Sequence, residues 1–267
     1  MVKEWNGGEW IMDKRIGAQL YTVRDHMKTI EDFEQTCRRI HDIGYQIVQI
    51  SGTDLKADEM KSILEHYHLE VVTTHRGFEG FLKNPDEIIA YNQTLGCKLC
   101  GIGSMPWEIR ANPQAVNQFL KDADRISKEL KQAGMLFGYH HHSFEFAKLD
   151  GVRVMDRLIH ETDPEAFFFI VDTYWLQVGG VNPADFISGL GKRAMAIHFK
   201  DLRINPEKDF AQEMAEVGEG NLDWDAIVSA CQKAGTKWAL VEQDTCPGDP
   251  FQSLKNSYEY LKNKGFE

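Results

Sequence analysis

Phe167-Phe168-Phe169-Ile170-Val171-Asp172 is the stretch on which the fold turns. Five apolar residues run without a break and end on a carboxylate. A strand buried on one face alternates apolar with polar. An unbroken run reads instead as a strand buried on both faces, as in a parallel sheet covered by helices. Downstream, Asn182 is placed as an N-cap and Pro183 at the first helical position, so a helix is predicted over 183–190. The segment 194–198 is the next apolar strand. Upstream, a helix over 153–160 and a strand over 135–141 precede the run.

The same rhythm reaches both ends. Strands are predicted over 16–21, 45–50, 69–75, 98–101 and 237–242. Helices are predicted over 29–43, 57–66, 85–95, 114–133, 224–234 and 250–262. Gly44, Gly96, Gly134 and Gly235 stop four of them. Eight strand–helix units without a linker, in 267 residues, predict one α/β domain, a closed (β/α)8 barrel. An open doubly wound sheet is the competing fold. Such a sheet often carries a glycine fingerprint after its first strand, and here Ala18-Gln19-Leu20-Tyr21 stands in that place. The barrel is expected over 14–267, with 1–13 as an N-terminal extension. A second methionine, Met12, just precedes the first strand, so residues 1–11 read as a loose front or a misassigned start.

Composition narrows the function classes. Hydrophobic residues make up 42% and charged residues 27%, an ordinary globular mix. Thirty Lys and Arg against 41 Asp and Glu give a formal net charge of −11. That balance disfavours a sequence-independent grip on nucleic acid, which needs a basic footprint, and offers nothing to an anionic membrane. No apolar run approaches the roughly 18–20 residues of a membrane span. Residues 1–13 lack the basic region and apolar core of a signal peptide. Five cysteines are few and odd in number, which argues against a disulfide framework and for a reducing cytoplasm. The pair Cys97 and Cys100 forms a lone C-x-x-C and reads as structural.

A barrel carries its chemistry at the carboxyl ends of its strands. Those ends hold Gln19 and Arg24, His75, His140-His141-His142 with Glu145, Asp172, His198 with Lys200 and Asp201, and Glu242 with Asp244. Glu145, Asp172, His198 and Glu242 follow four consecutive strands. Adjacent strands lie under about 5 Å apart, so these four can converge. Three carboxylates together repel, and a divalent cation resolves the repulsion. Three oxygens and one imidazole suit Mn²⁺ or Mg²⁺, with Co²⁺ or Zn²⁺ as alternatives. The competing reading makes each carboxylate a cap for the following helix. Period two places His140 with His142, and His198 with Lys200, on shared faces, while His141 points away to pack. Lys200 is then placed to steady a substrate hydroxyl or carbonyl, or stands as a solvated rim lysine, and His75 touches substrate or sits satisfied in the core. Gly218-Glu219-Gly220 reads as a plain turn or as a loop offering Glu219 to sugar hydroxyls. Phe78, Trp107 and Trp175 stand in strand-end loops and could wall a lid.

Taken in order, the segments 16–24, 139–146, 171–175, 197–201, 217–220 and 241–244 resemble the sugar phosphate isomerase/epimerase family of xylose-isomerase-like barrels. The resemblance covers nearly the whole chain from about residue 14. It implies a (β/α)8 barrel and a divalent metal, commonly Mn²⁺, on Glu145, Asp172, His198 and Glu242. It implies acid and base roles for Glu145 and Glu242, and substrate contact by His142 or His140. It also implies a small sugar or polyol substrate and commonly a homo-oligomer. One departure is visible: His141 replaces the asparagine of a common Tyr-His-Asn-His pattern.

The expected activity is isomerisation or epimerisation of a keto-sugar or related polyol by proton abstraction beside the carbonyl. Dehydration or elimination on a keto-inositol or 3-keto-glycoside shares that first step. A non-catalytic sugar-binding barrel is a further alternative. An endonuclease on abasic DNA fits poorly with a charge of −11.

Overall fold

In a computed structural model of the chain, which describes residues 12–267, the run Phe167–Asp172 is a strand buried along its whole length. The reading of residues 1–11 as a loose front lies outside the described residues. Eight parallel strands close into a barrel: β1 (Ile16–Gln19), β2 (Ile47–Ile50), β3 (Glu70–His75), β4 (Leu99–Ile102), β5 (Leu136–His140), β6 (Phe167–Asp172), β7 (Ala194–Phe199) and β8 (Trp238–Val241). Each pairs with its sequence neighbours, and β8 pairs with β1 through Ile16 and Ala239 to close the ring. The predicted barrel is therefore the observed fold.

Among the described residues, ten α-helices flank the strands: α1 (Ile30–Ile43), α2 (Ala57–His66), α3 (Phe78–Lys83), α4 (Pro85–Thr94), α5 (Pro113–Gln132), α6 (Val154–His160), α7 (Thr173–Val178), α8 (Pro183–Leu190), α9 (Trp224–Ala234) and α10 (Pro250–Lys262). Their starts follow from local chemistry. Thr29 and Asp32 form a reciprocal capping box on α1, and Asn112 caps α5 with Pro113 at its first position. Two helices escape the periodicity reading, α3 and α7, because six residues are under two turns. A hairpin, Asp201–Asn205 with Ala211–Ala215, also goes unpredicted. No described helix is long and apolar enough to cross a membrane.

Strand parity divides the core in two. Phe167, Phe169 and Val171 face the helices, while Phe168 and Ile170 fill the barrel interior with Ile47, Val72, Leu99, Ala196, Trp238 and Leu240. Gly138 belongs to the inner face, and a Cβ there would meet Ile170 at 2.9 Å and Leu99 at 3.3 Å. Its bareness lets those side chains fill the barrel.

Candidate active site and metal centre

Parity continues upward from this inner core. Two residues beyond Gly138, Ile170, Ala196 and Leu240 stand His140, Asp172, His198 and Glu242. Each of the four offers one ligand atom, and these atoms lie within 4.8 Å of one another in a buried cluster able to hold a divalent metal. Three of these four are the residues that the strand-end argument selected. The fourth is His140, where the sequence analysis placed Glu145.

Glu145 is fully buried but faces elsewhere. Its Oε1 accepts from the Tyr139 hydroxyl at 2.7 Å, and its Oε2 accepts from the His142 backbone N–H at 2.9 Å. Tyr139 packs on Phe119 and Phe167 in the layer between barrel and helices. A short 3-10 turn over Phe144–Phe146 folds Glu145 back onto that layer. Burial pushes its carboxyl up to about 7, against the pull of its hydrogen bonds.

The cluster passes a test of fit for a cation. His140 Nδ1 lies 2.9 Å from the Gly103 carbonyl, which can only accept, so the proton sits on Nδ1 and Nε2 turns its lone pair inward. That Nε2 faces Asp172 Oδ2 at 3.3 Å. His198 Nε2 donates to Gln49 Oε1 at 2.9 Å, leaving Nδ1 as the inward lone pair. His198 Nδ1 and Glu242 Oε2 lie 3.0 Å apart without a well-directed hydrogen bond. Two imidazole lone pairs and two carboxylates thus converge, each imidazole oriented by an acceptor behind it, as in metal sites. Asp172 serves twice: Oδ1 accepts from Trp175 N at 3.0 Å and caps α7, while Oδ2 joins the cluster. Asp172 thus caps a helix with one oxygen and leaves the other in the cluster.

Lys200 is the buried cation of the site. Its Nζ lies 2.7 Å from Glu242, 2.9 Å from Asp172 and 3.2 Å from Asp244. Burial alone would lower its pKa, yet the three carboxylates raise it. Burial would likewise raise Asp172 and Glu242, but Lys200 beside them holds both below the usual carboxylate range.

Around this centre stand buried polar atoms without partners: Gln49 Nε2, His75 Nε2, His142 Nδ1 and Trp175 Nε1. His75 stacks on His140 with ring centroids 5.3 Å apart. His142 lies 4.8 Å from His140 and 5.1 Å from Trp175. Burial lowers the His142 pKa to about 2, so its ring is neutral. Leaving a buried polar group unpaired costs about 1–3 kcal/mol, so such atoms suit a hydroxylated ligand. His141 points away, as parity requires. Its Nε2 accepts from Asp172 N at 3.0 Å, bracing β5 to β6.

The remaining expected residues lie apart. Gln19 sits in register with Gln49, but its Oε1 accepts from Tyr21 N at 3.1 Å. Glu219 is exposed on its turn. Phe78 packs against Phe119, and Trp107 is 77% exposed beside Arg110. Gln49 and Gly103 were missed. Gln49 is legible as the polar residue in Ile47-Val48-Gln49-Ile50, whereas a backbone carbonyl leaves no sequence signal. The turn that bears Glu219 hangs on Asp201, whose carboxylate accepts from Leu202, Gly218, Gly220 and Leu222 N–H and from Trp224 Nε1.

Comparison with known proteins places this barrel. Against curated proteins, the chain is 29% identical over 153 residues to the inosose dehydratase of Lacticaseibacillus casei, covering 52% of this chain and 51% of that one. The match thus spans about half the length of that relative. The inosose dehydratase of Geobacillus kaustophilus is 24% identical over an alignment 290 positions long, gaps included, which covers 92% of this chain and 93% of the relative. A sugar phosphate isomerase/epimerase from Parabacteroides distasonis superimposes with a TM-score of 0.77 at 20% identity, covering 98% and 96% of the two chains, a likeness of fold. The family model for the xylose isomerase-like TIM barrel matches residues 37–264. That span takes in seven of the eight strands and the whole cluster, and the chain belongs to the xylose isomerase-like TIM barrel family.

Proposed function

We propose that the protein is a divalent-metal-dependent dehydratase or lyase acting on a ketone-bearing polyol or sugar. The observation that carries this reading is the one-sidedness of the acid–base groups. Glu242 stands at the cluster, while Glu145, the second proton carrier that epimerisation would use, faces Tyr139. The names of the two inosose dehydratases above support the same reaction class.

His140, Asp172, His198 and Glu242 would hold the cation. When bound, it would supply Lewis-acid polarisation of a carbonyl beside a hydroxyl. Two imidazoles and two carboxylates suit Mn²⁺, Co²⁺ or Zn²⁺ better than Mg²⁺, and Mn²⁺ is the ion that the family resemblance implies. Lys200 donates to the carbonyl oxygen as negative charge develops there. Glu242 takes the proton from the carbon beside the carbonyl. The C–O bond on the next carbon then breaks, a C=C bond forms, and Glu242 returns the proton to the departing hydroxyl, which leaves as water. One carboxyl group working twice implies elimination on a single face. His75, His142 and Trp175 orient the ring hydroxyls with their unpartnered atoms. The five cysteines are free thiols, which supports a reducing, cytoplasmic setting.

The test is incubation of the Mn²⁺-loaded protein with keto-inositols, keto-sugars and 3-keto-glycosides in D₂O. Loss of water from the substrate is expected, and Glu242→Gln should slow it by about 10²–10⁴-fold. Deuterium incorporation with inverted configuration and no loss of water would identify an epimerase instead. Absence of any exchange, with tight binding, would identify a binding module.

A further inference from the structure

Lys200 reaches the same two oxygens that would hold the cation. Its Nζ lies 2.9 Å from Asp172 Oδ2 and 2.7 Å from Glu242 Oε2. Those two oxygens also face His140 Nε2 at 3.3 Å and His198 Nδ1 at 3.0 Å. A carboxylate oxygen shared between an ammonium and a divalent cation holds each less well, because the two positive charges repel at that range. The Lys200 side chain is fully buried, so solvent does little to screen that repulsion.

The surroundings give the ammonium one direction to move. Its directed hydrogen bonds run to both oxygens of Asp244, at 3.2 Å each. Glu242 Oε2 is closer but lies off the direction of a hydrogen bond. Asp244 is half-buried, and its backbone carbonyl is held by Arg24 at 3.1 Å. The Trp175 ring, 5.8 Å from Nζ, offers a second partner for a cation. Thr173 Oγ1 accepts from Lys200 N at 3.0 Å and donates to Lys200 O at 2.8 Å. The backbone of Lys200 is therefore fixed, and movement is confined to its side chain.

We infer that Lys200 and the divalent metal compete for Asp172 Oδ2 and Glu242 Oε2, and that Asp244 takes over the ammonium as the metal binds. Asp244 is thereby a positioning residue. It acts on the metal through Lys200, and it keeps the ammonium beside the cluster, where the proposed function needs a donor. This inference rests on the cation seat of that reading and is independent of the elimination step.

The experiment is calorimetric titration of chelator-stripped protein with Mn²⁺, for wild type, Lys200→Met, Asp244→Asn and the double variant, with folding checked by circular dichroism. Lys200→Met should bind Mn²⁺ at least about tenfold more tightly than wild type, because the competing charge is gone. Asp244→Asn should weaken binding by at least about fivefold, because the ammonium then stays on the shared oxygens. In the Lys200→Met background the same change should cost less than about twofold, since Asp244 has no ammonium left to hold. A long-range effect of the Asp244 charge alone would weaken binding equally in both backgrounds. Such equality, or a Lys200→Met affinity no higher than that of wild type, would overturn the competition. Lys200→Gln, which keeps a neutral donor, replaces Lys200→Met if that variant does not fold, with the same outcomes expected. Uptake of Mn²⁺ by neither wild type nor the Lys200 variant would remove the cation seat itself, and the inference with it.

Discussion

His140 and His198 are oriented by the groups behind them, Gly103 O and Gln49 Oε1. Such outer partners typically contribute about 10–100-fold to metal affinity. Gln49→Leu should therefore weaken Mn²⁺ binding by about that factor, read by calorimetric titration, with the fold intact. Glu145 offers a second residue-scale prediction. Burial raises its carboxyl from an ordinary 4.5 to about 7. A carboxyl raised on folding stabilises the protein fully below about pH 4.5, and that contribution is lost as pH rises through 7. Above about pH 8 the loss approaches roughly 3 kcal/mol. In denaturant titrations, Glu145→Gln should lose less stability between pH 5 and 8 than the wild type. At this scale the strand-end argument selected Asp172, His198 and Glu242, each at the end of an apolar strand, and the structure groups them with His140, while Glu145 turns to Tyr139. Alternation in Phe137-Gly138-Tyr139-His140 already points His140 inward, whereas the turn that carries Glu145 back to Tyr139 has no periodic signature.

Elements longer than two turns were legible. Pro183–Leu190, Trp224–Ala234 and Pro250–Lys262 coincide with the expected bounds because each has a cap before it and proline or tryptophan at its first position. The hairpin 201–215 was missed although Leu202, Arg203 and Ile204 alternate, since its strands pair only with each other outside the barrel. The segment joining its second strand to α9 is held by one buried carboxylate, Asp201, with five N–H donors. Gly218 and Gly220 are required there: Gly218 has φ of +90°, and a Cβ on Gly220 would meet Asp201 Oδ1. Asp201→Asn replaces an acceptor oxygen by a donor amide and should cost about 2 kcal/mol, measured by chemical denaturation.

Over the whole molecule, the barrel was legible because eight buried strands alternate with capped helices and the first strand–helix turn lacks the glycine fingerprint often found in an open doubly wound sheet. The net charge of −11 counts carboxylates that the fold has given specific work. Asp172, Glu242 and Asp244 surround Lys200, and Asp201 gathers the N–H groups of the turn over 218–224. What the sequence concealed was which four donors converge, because that depends on strand parity carried through to three dimensions. The most direct measurement of the account is the metal content of purified His140→Ala and Glu145→Gln after Mn²⁺ loading, with folding checked by circular dichroism. The account predicts that Glu145→Gln retains its ion at the wild-type stoichiometry and His140→Ala loses it. Retention by His140→Ala together with loss from Glu145→Gln would contradict it.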